Sequence, residues 1–118
     1  MTTLVACLSS GKGTWGHIGR LIADYDWKKI ILITNDFGKE NFTPEKPSEF
    51  IIVDSMQGLK ELRNAISQEL KDKISDTEVA VNVISGTGKE HMAIISAILR
   101  MGLGIRLIAL TKDGIEEI

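Results

Sequence analysis

The chain has 118 residues, of which 43% are hydrophobic and 25% are charged, an ordinary composition for one globular domain. Its formal net charge is −2, from 14 basic and 16 acidic residues. This balance argues against sequence-independent binding of duplex DNA or RNA, which needs a basic face, but it permits a small anionic ligand held by local groups.

Short apolar runs alternate with helical patterns along the chain. The predicted strands are residues 3–8, 29–34, 50–53, 79–84 and 105–110, and the predicted helices are residues 15–24, 56–74 and 89–101. Residues 35–49 are polar and contain both prolines, which predicts mostly loop. A turn at KDG followed by IEEI predicts a short antiparallel strand at the end.

Two of the predicted helices carry more specific expectations. In residues 56–74 apolar side chains recur every three or four positions, and Asp54 or Ser55 is placed to cap the helix. Residues 89–101 are apolar on nearly all sides, which predicts burial on more than one face, with Gly102 as the C-terminal stop.

The strands are continuously apolar rather than alternating, which is typical of a parallel sheet covered on both faces. Together with the β-α-β order, this predicts an α/β fold with a doubly wound, Rossmann-like sheet. We expect about five mainly parallel strands plus the short C-terminal antiparallel strand, in a single domain over residues 1–118.

Cys7, the only cysteine, lies in the first predicted strand, so a buried structural side chain is favoured over a reactive thiol. The start of the chain lacks the basic region of a signal peptide, and no apolar run approaches the roughly 18 residues of a membrane span. We therefore expect a cytoplasmic protein with no membrane partner.

Two similar glycine-rich loops follow the first and fourth predicted strands. They are SSGKGT, residues 9–14 (the first loop), and SGTGK, residues 85–89 (the second loop). In the common strand order 3-2-1-4-5 both loops open into one crevice at the topological switch point, and each leads into a helix N-terminus that favours an anion. The candidate ligand groups are Ser9, Ser10, Gly11, Lys12, Gly13 and Thr14 in the first loop and Ser85, Gly86, Thr87, Gly88 and Lys89 in the second. The alternative is that the glycines only make tight strand-to-helix turns.

Known phosphate motifs fit these loops unequally. Neither loop completes the P-loop pattern G-x-x-x-x-G-K-[ST], because Glu90 follows Lys89 and His17 follows Gly16. The dinucleotide fingerprint G-x-G-x-x-G is met by Gly11, Gly13 and Gly16, with Asp36 at the position of a ribose-binding acid. A nicotinamide- or adenine-nucleotide sensor is therefore one alternative function, and a non-catalytic interaction domain whose loops are only turns is the other.

Metal and cofactor chemistry find little support in the sequence. The two histidines, His17 and His91, belong to no cluster with metal-ligand spacing, so we expect neither a metal nor a bound cofactor. Each histidine lies near a helix start beside a glycine-rich loop, where a role in binding or proton transfer and an ordinary capping role are both open.

Two stretches make the sequence similar to a known family. LVACLSSGKGTW and VNVISGTGKEHMAIISAILRMGLGIRLIAL resemble the CARF domain, the CRISPR-associated Rossmann-fold sensor of cyclic oligoadenylates in antiviral defence. The family's second loop is closest to G-G-T-K, whereas here Gly88 stands between the threonine and the lysine.

The resemblance implies a homodimer in which two facing crevices share one ring-shaped cyclic oligoadenylate across a two-fold axis. It assigns ligand binding to the two loops, with His91 beside the second. Some members of the family are ring nucleases, in which a ribose 2′-hydroxyl attacks the adjacent phosphate without a metal. The catalytic candidates by resemblance are Ser10, Lys12 and Lys89, with His17 or His91 as proton carriers. Binding without cleavage is equally consistent with the sequence.

Two further residues have two interpretations each. In one interpretation Trp15 stacks on an adenine or packs at a dimer interface. In the other it belongs to the core. Asn35, at the end of the second predicted strand, either touches the ligand or caps a turn or helix.

Overall fold

The computed structural model describes residues 2–118, in which six strands form one sheet with helices on both faces. The strands are β1 (Thr3–Cys7), β2 (Lys29–Thr34), β3 (Glu49–Ile52), β4 (Glu78–Asn82), β5 (Gly104–Thr111) and β6 (Gly114–Glu117). The helices are α1 (Trp15–Asp24), α2 (Asp36–Asn41), α3 (Leu59–Leu70) and α4 (Gly88–Arg100), and a 3₁₀ turn over Lys12–Thr14 leads into α1. Within the described residues, no helix is long and apolar enough to cross a bilayer.

The strand order is β3-β2-β1-β4-β5-β6, with β1 to β5 parallel and β6 antiparallel to β5. The predicted doubly wound α/β sheet is therefore confirmed. Val5 of β1 lies opposite Ile31 of β2 and Val81 of β4, so the central strand has a parallel neighbour on each side. The topological switch point is the gap between the carboxyl ends of β1 and β4.

Both faces of the sheet are apolar because both are covered by helices. Since successive strand residues point to opposite faces, Val5 packs in the layer with α3 and α4, whereas Leu4 packs in the layer with α1. On α1, Ile18, Leu21 and Ile22 have no exposed surface. Burial of each such side chain is worth about 1.5–3 kcal/mol, which fixes α1 against its face of the sheet.

Burial of α4 differs from the expectation. Its inner face is closed, with Ala93, Ile94, Ala97 and Ile98 buried. Its outer face is open, and the side chains of Met92 and Leu99 are 60% and 56% exposed. The predicted burial on more than one face is therefore wrong for the single chain, because the sheet covers only one side of this helix.

The segment predicted as mostly loop contains the short helix α2. Asn35 caps it by accepting a hydrogen bond from the Gly38 backbone N–H at 2.9 Å. Gly38 lets the helix lie directly on β2, because a Cβ there would collide with the hydroxyl of Thr34. The prolines Pro44 and Pro47 follow the end of the helix, so they do not prevent it.

The third helix is shorter than predicted and is capped differently. Asp54 Oδ1 accepts the Met56 backbone N–H at 2.9 Å, which makes a turn instead of a helix start. The helix begins after Gly58, its N-cap, so the prediction of Asp54 or Ser55 as the cap is wrong. Met56 lies outside the helix and is 87% exposed.

Candidate functional site

The first and second loops meet at the switch point between β1 and β4. The Ser9 backbone N–H donates to Ser85 Oγ at 2.8 Å, and the Ser85 hydroxyl donates to Ser9 Oγ at 3.2 Å. Ser85 is only 1% exposed, so this bridge lies beneath the surface that the loops present. Two segments that are 76 residues apart in sequence thus form one rim of the crevice.

The second loop is closed by a capping box at the start of α4. Thr87 Oγ1 accepts the Glu90 backbone N–H at 3.2 Å, and Glu90 Oε1 accepts the Thr87 backbone N–H at 2.8 Å. The Glu90 carboxylate therefore already compensates the positive end of the α4 dipole. The sequence signal of this capping box, Thr-x-x-Glu, is present at residues 87–90 and was not among the features used to predict the site.

Gly86 has a structural requirement of its own. Its φ is +109°, a conformation that favours glycine. A Cβ at this position would lie 2.7 Å from Cys7 Sγ and 3.1 Å from both Glu90 Oε1 and His91 Nε2. Backbone conformation and packing thus account for this glycine without any ligand.

Cys7 lies beneath Gly86 and is 1% exposed. Burial, with a smaller contribution from the Glu90 carboxylate, raises the pKa of its thiol to about 12. The thiol is therefore protonated at neutral pH and acts as a small apolar side chain, as the sequence predicted.

His91 supports the second loop from α4. Its Nε2 lies 2.8 Å from the Ser85 carbonyl oxygen, which can only accept a hydrogen bond. The proton is therefore on Nε2, and this nitrogen is engaged within the protein.

His17 and Asn82 form a hydrogen-bond network beneath the crevice. The Leu110 backbone N–H donates to His17 Nε2 at 3.3 Å, so this nitrogen is an acceptor, and the Asn82 side-chain amide donates to it at 3.1 Å. Asn82 also donates to the Ile108 carbonyl oxygen at 2.8 Å and accepts the Ile84 backbone N–H at 3.1 Å. Burial lowers the pKa of His17, which favours the neutral ring that this network needs.

Asn82 was not among the residues selected from the sequence. Its signal was an amide at the end of an otherwise apolar strand, where a buried polar side chain needs partners from other elements. Only the tertiary structure shows that those partners come from α1 and β5.

The first loop is open where the second is closed. Ser10, Gly11, Lys12 and Gly13 are exposed. Thr14 precedes α1 as its N-cap residue, but its side chain makes no capping hydrogen bond, and the first turn of α1 contains no acidic residue. Side chains therefore leave the positive end of α1 uncompensated, although the Trp15 backbone N–H is bonded to the Lys12 carbonyl oxygen in the 3₁₀ turn before the helix.

Trp15 supports the first loop and continues into a small aromatic cluster. Its indole N–H donates to the Ser9 carbonyl oxygen at 2.8 Å. Its ring packs edge-on against Phe42 at 5.6 Å between centroids and tilted against Phe37 at 6.1 Å. These contacts match the second interpretation of Trp15, a place in the core, and its indole N–H is engaged by the first loop.

The two lysines of the loops lean in different directions. Lys12 Nζ lies 5.7 Å from the Trp15 ring centroid and 5.4 Å from that of Phe37, on the β2 side of the crevice. Gly88 begins α4, so Lys89 is in the first turn of the helix. Helical spacing places it on the face of Met92 and Ser96, which line a groove with α3.

Asn35 and Asp36 lie at the carboxyl end of β2. The Asn35 side chain is engaged as the cap of α2, which matches the capping interpretation of this residue. Asp36 begins α2 and is exposed. Among residues 2–118 there is no group of three or more His, Cys, Asp or Glu side chains that could hold a metal ion.

No family model matches the sequence, and no curated protein is significantly similar to it. A crystal structure of an FMN-dependent cysteine decarboxylase, TvaF, from thioviridamide biosynthesis is similar at a TM-score of 0.36 and 10% identity, over 89% of this chain and 89% of that one. At this TM-score the similarity carries no inference about a cofactor or an activity of this chain.

Proposed function

We propose that the chain binds a cyclic oligoadenylate at the crevice formed by the first and second loops. The observation that carries the proposal is the Ser9–Ser85 bridge, which joins two glycine-rich loops at the carboxyl ends of β1 and β4. Ligands of doubly wound sheets bind at this switch point. The resemblance of both loops to the CARF pattern supplies the ligand class.

The phosphates of the ring face the first loop in this proposal. The N-terminus of α1 has no acidic residue and no side-chain cap, whereas the N-terminus of α4 carries the Glu90 carboxylate, which repels an anion. Ser10 and Lys12 supply a hydroxyl and an ammonium group beside the α1 N-terminus. The second loop forms the opposite wall of the crevice, with Lys89 at its outer end.

The second part of the proposal is a homodimer, in which two crevices share the ring. An apolar surface supports it, because five of the ten large apolar side chains with more than a third of their area exposed lie on α4 and toward the β5 edge of the sheet. They are Ile84 at 51%, Met92 at 60%, Leu99 at 56%, Leu107 at 43% and Ile118 at 72% (the apolar face).

Leu107 and Ile118 lie on the same side of the sheet as α4. Leu107 is the register partner of Val81, which packs under α4, and the Ile118 backbone N–H donates to the Leu107 carbonyl oxygen at 2.8 Å. On this side of the sheet, Leu107 of β5 and Ile118 after β6 thus remain exposed beyond α4. A second copy covers these side chains in the proposed dimer, next to the crevice and in line with the two-fold symmetry of the ring.

Light scattering tests the dimer. The wild-type protein should have twice the 13.0 kDa mass of the chain, and Leu107→Glu should reduce it to the monomer because a carboxylate would be buried in the interface. Met56→Glu, at an exposed methionine outside the apolar face, should remain dimeric. A wild-type monomer that stays monomeric with the ligand present would contradict the dimer.

Radiolabelled cyclic tetra-adenylate and cyclic hexa-adenylate test the binding. One of the rings should be retained by the protein, whereas NADH and ATP should give no heat in calorimetry. Lys12→Ala should weaken retention, and Lys71→Ala, at the C-cap of α3 on the opposite edge, should not. Retention of neither ring would remove the proposal; heat with NADH that Asp36→Ala abolishes would favour the dinucleotide alternative.

The same labelled rings report whether the bound ligand is also cleaved. Nε2 of both histidines is engaged within the protein, so charge stabilisation by a loop lysine is the catalytic contribution that these residues support best. Lys12 lies on the phosphate side of the crevice in this proposal, and Lys89 lies at the outer end of the opposite wall. Cleavage of the bound ring should leave a 2′,3′-cyclic phosphate, should continue in EDTA and should be lost in Lys12→Ala or in Lys89→Ala. A ring that stays intact while bound would identify the chain as a sensor without nuclease activity.

A further inference from the structure

Half of the six aromatic residues of the chain lie together beside the first loop. They are Trp15, Phe37 and Phe42. Trp15 and Phe42 are half-buried and pack against the core, whereas Phe37 is 41% exposed. The cluster therefore has a supported interior and one ring that reaches solvent at the carboxyl edge of the sheet.

The position of Phe37 is fixed by its neighbours along α2. On its N-terminal side Asn35 caps the helix, and on its C-terminal side Gly38 lies against Thr34 with no space for a Cβ. Trp15, the ring that Phe37 meets, is itself tied to the first loop by its indole N–H at 2.8 Å. An exposed aromatic ring is thus held in a set place relative to the loop that the proposed function assigns to phosphate.

The Lys12 ammonium lies over both rings, 5.4 Å from the Phe37 centroid and 5.7 Å from the Trp15 centroid. Lys12 is an exposed side chain without an acidic partner in this contact, so its charge remains available to an anion. A nucleotide offers the matching pair of groups, a flat base and a phosphate close to it.

We propose that Phe37 is a base-stacking residue of the ligand site, with Lys12 placed to contact the phosphate of the same nucleotide. The inference rests on the proposed function for the identity of the ligand and extends the site from the β1–β4 crevice across to β2. Trp15 and Phe42 support the Phe37 ring from below, and we call these three rings the shelf. The base lies on the exposed side of the Phe37 ring.

Tyr25 provides the matched comparison. It is also an exposed aromatic residue, at 46%, and its ring also packs on a tryptophan, Trp27, at 4.4 Å between centroids. It follows the C-terminus of α1, at the opposite edge of the sheet from the loops. Tyr25→Ala therefore removes exposed aromatic surface without touching the proposed shelf.

Calorimetric titration with cyclic tetra- or hexa-adenylate, whichever the wild type retains, tests the shelf. Because stacking of one base on an aromatic side chain is worth a several-fold change in affinity, Phe37→Ala and Phe37→Leu should each weaken binding by about fivefold or more. Phe37→Tyr and Tyr25→Ala should bind within about twofold of the wild type. Unchanged affinity in Phe37→Leu would overturn the shelf and leave the proposed function standing.

If the wild type binds neither cyclic oligoadenylate, the proposed function is removed. A second measurement still tests the shelf in that case. Adenosine 5′-monophosphate and ribose 5-phosphate, which lacks the base, are titrated while the ring protons of Phe37 are followed by NMR. The monophosphate should shift these resonances and ribose 5-phosphate should not. Equal shifts with both, or none with either, would overturn the shelf. Melting temperatures of the Phe37 variants establish that they are folded.

Discussion

The first and second loops have nearly the same composition, but the second is closed by internal hydrogen bonds and packing, whereas the first is largely exposed. In the second loop the backbone and side chains bond to one another through the capping box, the Ser85–His91 contact and the tight packing of Gly86. In the first loop Ser10, Lys12 and Gly13 are exposed, and the helix that follows has no side-chain cap. Similar sequences therefore predict a strand-to-helix turn in both places, but only the first loop leads into a helix whose N-terminus has no side-chain cap and no acidic residue.

The strongest test of this difference is Gly86→Ala against Gly13→Ala. Alanine at position 86 combines a left-handed backbone with a Cβ 2.7 Å from Cys7 Sγ, so we expect a loss of about 2–4 kcal/mol in free energy of unfolding. A Cβ on Gly13 meets nothing within 4 Å, so that variant should stay within about 0.5 kcal/mol of the wild type. Urea denaturation measures both.

A double-mutant cycle identifies the cause of that loss. Cys7→Ala removes the sulfur that a Cβ at position 86 would approach, so it should recover part of the cost of Gly86→Ala. Additive losses would show that the contact with Cys7 Sγ is not responsible, which leaves backbone strain and the contacts with Glu90 and His91 as the cause.

Ser85→Ala and Ser10→Ala compare a buried serine with an exposed one. Ser85 accepts the Ser9 N–H and donates to Ser9 Oγ, so its removal leaves the Ser9 backbone donor without this partner and should cost about 1–3 kcal/mol. Ser10→Ala should change the free energy of unfolding by no more than about 0.5 kcal/mol. Thermal and urea unfolding are suitable measurements, and equal losses would contradict the assignment of Ser85 as the bridge.

Each loop supplies a threonine as the N-cap residue of the next helix, but only the Thr87 side chain accepts a capping hydrogen bond. Thr87→Ala should lower the free energy of unfolding by about 1 kcal/mol because the Glu90 N–H loses its acceptor. Thr14→Ala should have almost no effect, since the Thr14 side chain makes no capping hydrogen bond. If the ligand uses Thr14, this variant shows its effect in binding and not in stability.

The smallest effect we expect is the pH dependence of the stability that His17 contributes beneath the first loop. The pKa of His17 is lowered from 6.5 by burial, so the unfolded chain binds this proton more readily than the folded one. Stability from this site is present above pH 6.5 and is lost as the pH falls toward the lower pKa of the folded state. His17→Gln, which keeps an acceptor and does not titrate, should therefore flatten the fall in melting temperature between about pH 7 and pH 5. An unchanged slope would contradict the neutral acceptor role.

Much of the fold follows from local pattern. The apolar runs at β1, β2 and β4 are continuous because these strands are buried on both faces, and α1 was predicted at its observed residues 15–24. The failures have one tertiary and one local cause. Gly38 leaves room for the Thr34 hydroxyl, so that α2 lies on β2 within a polar segment, whereas the Asp54–Met56 hydrogen bond makes a local turn that delays the start of α3 to Leu59.

The sequence by itself determined the α/β class and the position of two glycine-rich loops after the first and fourth strands, because these depend on burial patterns that repeat along the chain. The strand order that brings both loops to the switch point was assumed from the common doubly wound fold, and the tertiary structure confirms it. Only the tertiary structure decided which loop is open. Of the groups that close the second loop, Glu90 and His91 lie in the first turn of α4 and Cys7 lies at the end of β1, so Cys7 meets Gly86 only in the folded chain. Likewise, Lys12 leans toward Phe37 because of where α2 packs, a contact that no local spacing encodes.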